Sequence, residues 1–101
     1  MGQRLELHAI LKGIPEVEDA YFQPKQNTQL TYPCITYQLS DHYVEHANNA
    51  NYWRKNRYSV TVIDRNPDSS IVEAVADLPY TEFDRFFVTE GLNHTVFQTF
   101  F

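Results

Sequence analysis

The chain is poor in the residues that build the commonest chemical sites. A single cysteine, Cys34, rules out an intrachain disulfide and fits a reducing compartment or indifference to redox state. It follows Pro33 in an apolar strand pattern, with no histidine or cation beside it in sequence to lower its pKa, so a small buried hydrophobe is the expectation. The three glycines, Gly2, Gly13 and Gly91, are too few and too scattered for a phosphate-cradling loop. No serine sits in a nucleophile elbow. No apolar run approaches the ~18 residues of a membrane span, and the start, MGQRLE, lacks a secretion-signal core. Gly2 without Ser or Thr at position 6 does not make a myristoylation signal. Cations are also scarce. Eight Lys and Arg against thirteen Asp and Glu give a net charge of -5, which disfavours a sequence-independent grip on phosphates. A soluble protein made in the cytoplasm, with no catalytic, metal or cofactor site, is the expectation.

Aromatics, by contrast, are plentiful. Seven Phe, seven Tyr and one Trp make 15% of 101 residues, more than one small core usually hides. Length allows a single domain, residues 1–101, burying roughly 60 to 70% of the unfolded chain's surface. Contact with other copies is the physical outlet for the surplus rings.

The clearest local signal runs from Tyr58 to Leu78. Tyr58, Val60 and Val62 alternate with Arg57, Ser59 and Thr61, the pattern of a strand with one apolar face. After the hinge DRNPD, Ile71, Ala74, Val75 and Leu78 fall at i, i+3, i+4 and i+7 on one helical face. Two starts are open: Asn66 as N-cap with Pro67 at the first helical position, or a capping box at Ser70–Glu73. Asp64 and Asp68 are better read as turn and cap residues than as an acid–base pair.

Elsewhere, Leu7, Ile10, Leu11 and Ile14 with the stop Gly13–Pro15 predict a helix over residues 3–13. A short strand before Gln23–Pro24 follows, then a strand from Cys34 to Ser40 with Ile35, Tyr37 and Leu39 on one face. Residues 41–51 change composition, and Asn48–Asn51, with neither period nor apolar anchor, read as the tip of a long hairpin from Leu39 to Tyr58, its return strand spanning about Tyr52–Asp64. Pro79 closes the second helix. A strand around Phe83–Val88 has bulky groups on both faces, Gly91 and Asn93 mark a turn, and Thr95–Phe101 alternates as the last strand. The order α-β-β-β-α-β-β gives an α+β fold, two helices packed on a mainly antiparallel sheet.

His42 and His46 have a spacing that would suit a metal on a helix, but they fall where strand runs into loop and no third ligand is evident. His8 reads as solvent-facing and His94 as isolated. The run Tyr52–Arg57 interleaves aromatics with cations, the pattern of a single-strand stacking site. Lys55 and Arg57 on the solvent side would equally guard a strand edge or meet an acidic partner. An interaction module binding protein or single-stranded nucleic acid through this segment is the alternative reading.

Taken with Leu7–Pro15, the segments Tyr58–Ser69, Leu78–Pro79, Phe83–Arg85 and Gly91–His94 resemble tail terminator proteins of long-tailed bacteriophages, also called minor tail or head–tail joining proteins. The resemblance is one of overall pattern, with no catalytic signature. It implies a virion protein forming a homo-oligomeric ring, commonly a hexamer. Such a ring caps the tail tube protein and joins head–tail connector proteins while DNA passes through the centre without sequence-specific binding. A ring needs unlike faces on each subunit. The hairpin, through Tyr43, Tyr52, Trp53, Arg54, Lys55 and Arg57, and the chain end, through Phe100 and Phe101, are the expected partner-binding residues. An acidic passage would let phosphates slide.

Overall fold

A computed structural model describes residues 3–25, 29–47 and 52–101, with backbone only for 3, 40–47 and 52–56. The elements are α1 (Gln3–Lys12), β1 (Asp19–Phe22), β2 (Cys34–Ala47), β3 (Tyr52–Asp64), α2 (Ser70–Ala76), β4 (Thr81–Thr89) and β5 (Leu92–Phe100). Two helices and a five-stranded sheet in the order β1-β2-β3-β5-β4 make an α+β fold. Among the described residues only β1 and β2 run parallel; the other neighbouring pairs are antiparallel.

The apolar face read in Tyr58, Val60 and Val62 is the centre of the core. Val60 sits opposite Tyr37 of β2 and Phe97 of β5, and Val62 opposite Ile35 and Thr95. Leu7 and Leu11 from α1 and Ile71 and Val75 from α2 close over these strands, all fully buried. Ala74, on the same stripe, is half-buried, and so is Leu78, which lies beyond the end of α2 at Ala76 and its C-cap Asp77, so the helix stops short of the Pro79 expected to close it. α1 follows its pattern less completely, since Ile10 stays 41% exposed. The opposite face of the sheet has its own small apolar spot, with Cys34 paired to Ile63 and Val96 paired to Thr61.

α2 begins one residue before the expected capping box and later than the Asn66 start. Asp64 Oδ1 accepts from the Asn66 N–H (3.0 Å) and Asn66 Oδ1 from the Asp68 N–H (3.0 Å). The Asn66 bond therefore forms as a cap would, but it closes only a turn. Ser69, buried and extended (φ -65°, ψ 128°), is the true N-cap, its Oγ accepting from the Ile71 N–H.

β2 is longer than its alternation suggested. It runs past the expected end at Ser40 to Ala47, through register shifts between Leu39 and Asp41 and between Asp41 and Val44. Each shift inserts an unpaired residue and breaks the period of two that marks a strand in sequence. The expected tip, Asn48–Asn51, lies outside the described residues. Glu90 and Gly91, at φ 54° and 75°, make the two-residue turn between β4 and β5, in which both positions need positive φ.

Candidate assembly surfaces

Three features stand out from the compact body. The first is the hairpin. β5 accompanies β3 only from Asp64 to Arg57, where Arg57 pairs with Phe100, and β1 accompanies β2 only as far as Tyr37. Beyond that rung β2 and β3 pair with each other alone, as a two-stranded arm. Lys55 stands opposite Val44, Arg54 opposite Glu45, Trp53 opposite His46 and Tyr52 opposite Ala47. Tyr43, Tyr52, Trp53, Arg54 and Lys55 thus share one arm, as do His42 and His46, while their side chains lie outside the described residues. Arg57, expected on the solvent side, is half-buried, and its backbone pairs with Asp41 and Phe100 at the base of the arm.

A groove at the same end of the sheet is the second. Leu7, Ile10, Leu78, Pro79, Tyr80 and the chain end Phe100–Phe101 line a cavity of about 220 Å³. Both terminal phenylalanines are half-buried; Phe101 packs against the core cluster and still fronts the groove. A bond from the Phe100 N–H to the Tyr80 carbonyl (3.0 Å) holds the last strand against the residue that leads into β4.

The third surface was missed. β4 ends the sheet, and Phe83, Phe86, Phe87 and Val88 are 62, 51, 41 and 57% exposed. Bulky groups on both faces of a strand ordinarily mean cover from both layers. Here none of the four joins the core cluster around α1 and α2. The signal was present in the alternation, but nothing in a single sequence says which strand is outermost. Two of these rings are held in place by neighbours. Phe83 meets Phe97 edge-on at 6.1 Å between centroids, and Phe87 stacks on His94 at 4.7 Å. Rings already fixed lose little freedom on meeting a partner.

Two further groups are explained by packing. His8, read as solvent-facing, is half-buried, with Nδ1 2.7 Å from the Tyr37 hydroxyl. Burial raises the Tyr37 phenol above its usual pKa, partly offset by Arg4. Cys34 is fully buried, and desolvation, with a smaller contribution from the Asp19 carboxylate, pushes its thiol up to about 12. Such a thiol carries almost no thiolate at neutral pH. Among the described residues no three His, Cys, Asp or Glu side chains gather as metal ligands, and no helix is long and apolar enough to cross a membrane. Comparison with protein-family models found no match, and neither did a search of curated proteins.

Proposed function

We propose that this chain is a structural subunit that closes into a ring of the tail-terminator type. In this reading the ring caps a phage tail tube, docks to head–tail connector proteins and lets DNA pass through its centre. The observation that supports it best is the arm and the apolar groove at one end of one molecule. They are unlike surfaces, one projecting and one concave, as a head-to-tail contact requires. Lying at the same end, they can meet at one height around an axis, which favours closure over an open helix. The net charge of -5 suits a passage that repels phosphates.

Negative-stain images of the purified protein, alone and with tail tube protein, test the reading. Rings with a central hole are expected. Particles of monomer size under both conditions would refute it. Replacing residues 43–55 with a short Gly–Asn linker should leave the circular dichroism of the body unchanged and abolish the rings.

A further inference from the structure

We propose that β4 is a self-recognition edge: it pairs antiparallel with the β4 of a second copy about a two-fold axis that passes between Asp84 and Arg85. This contact is independent of the ring and uses a different surface.

β4 is not a regular strand. Its register against β5 shifts between Phe83, opposite Phe97, and Arg85, opposite Val96, so Asp84 is the extra residue of a bulge. Asp84 accepts at Oδ2 from both Gln98 Nε2 (2.9 Å) and Arg85 Nη1 (3.0 Å). Asp84 and Arg85 therefore occupy one position on the face away from the helices. Phe83, Phe86 and Val88 all fall on the helix side, since their β5 partners Phe97, Thr95 and Asn93 alternate there.

Opposite residues in an antiparallel pair must share a face. In a regular strand a two-fold axis satisfies this only when it passes through a residue. The bulge moves the allowed centre to the point between Asp84 and Arg85. About that centre Phe83 meets the other copy's Phe86, Glu82 meets Phe87 and Thr81 meets Val88, and every one of these pairs agrees in face. Centring on Asp84 or on Arg85 instead sets like charges against each other and throws Phe83 or Phe86 to the wrong face.

Side-chain chemistry agrees with the geometry. The centre brings each Asp84 beside the other copy's Arg85, and the Arg85 side chain, which lies back across its own sheet beside Ser59 and Thr61, turns to the edge to complete four charges of alternating sign. Two Phe83–Phe86 contacts flank them, with Phe83 already fixed by Phe97. A second copy is thus the occupant that extends the open edge, covers Phe83 and Phe86 and pairs Asp84 with Arg85, at the cost of setting Glu82 against Phe87.

A charge exchange tests this without disturbing the core. Asp84→Arg alone sets Arg against Arg across the axis, and Arg85→Asp alone sets Asp against Asp. Mixed, the two variants are complementary at both contacts. Sedimentation or native mass spectrometry at equal concentrations should show the wild-type assembly, half its mass for each variant alone, and its return in the mixture as a heterologous pair. An assembly mass unchanged in either variant, or no recovery on mixing, would overturn the proposal, as would a wild type that shows no two-fold step at any concentration. Phe86→Lys, at an exposed position, provides a second measurement should Asp84→Arg unfold: it is expected to remain folded and to lose the pair. A folded Phe86→Lys protein that still pairs would also sink it.

Discussion

Val62→Asp probes the centre of the fold. Val62 is fully buried, opposite Ile35 on one side and Thr95 on the other, beneath the residues contributed by α1 and α2. Removing the valine forfeits about 1.5–3 kcal/mol of side-chain burial. Burying an unpaired polar group in its place costs roughly a further 1–3 kcal/mol even when the carboxyl is protonated. The sum, about 2.5–6 kcal/mol, is comparable with the ~5–15 kcal/mol that holds a domain of this size. Burial raises the introduced carboxyl's pKa in the folded state, so the unfolded chain releases its proton first. The loss therefore deepens as pH rises above the ordinary aspartate value of about 3.9 and eases as pH falls. The control is Thr61→Asp, one residue away and half-buried on the other face, where the cost should be far smaller. Urea titrations followed by circular dichroism between pH 4 and 8 would measure both. A Val62→Asp protein within about 1 kcal/mol of wild type, or a Thr61→Asp protein equally damaged, would show the assignment of faces to be wrong.

Ser69→Ala removes the acceptor for the Ile71 N–H and should cost about 0.5–2 kcal/mol in the same titration, whereas Ser70→Ala should cost less. Equal losses would return the cap to Ser70. Cys34 should resist a thiol reagent at pH 8 in the native protein and react fully in urea; rapid native labelling would contradict its burial. Its raised pKa has a second consequence. The folded thiol keeps its proton while the unfolded one releases it, so stability should decline from about pH 9 toward pH 12, by at most roughly 1.4 kcal/mol per pH unit from this group. Cys34→Ser should flatten that limb of a pH–stability curve, and an unchanged slope would remove the thiol as its cause.

Period two in Tyr58–Val62 and the i, i+3, i+4, i+7 stripe of Ile71–Leu78 were legible because each element turns a single face to the core, and burial imposes its spacing on the sequence. The same logic explains the misreading beyond Ser40. There β2 runs on past β1 and β5 and is interrupted twice, so no unbroken period marks it. His8 was misplaced for a different reason. A helix wheel treats histidine as polar, while the fold supplies it with the Tyr37 hydroxyl from a strand twenty-nine residues away. Aromatic content alone predicted that some rings would find no place in the core, but choosing Phe83, Phe86 and Phe87 required strand order, which depends on non-local pairing.

The two ends of the sheet show why β4 calls for a partner more strongly than β1 does. β1 is a four-residue strand, too short to template much pairing, and Gln23 follows it with an N–H given to the Tyr37 carbonyl (2.8 Å). β4 has nine residues and carries four of the eight large hydrophobic side chains left exposed among the described residues, with Tyr80 just ahead of it. A bulge and charges also occur on edges that are guarded against pairing, so their presence alone decides nothing. What distinguishes the cases is the company they keep. A guarded edge sets charge of one sign, typically lysine, among polar neighbours, so that any approaching copy is repelled. Asp84 and Arg85 instead cancel, bonded to each other at 3.0 Å, and phenylalanines stand on both sides of them. An approaching copy meets a neutral Asp84–Arg85 pair at the centre, Phe83 and Phe86 beside it and Glu82 one position further out, so exposed rings more than charge draw the strand in.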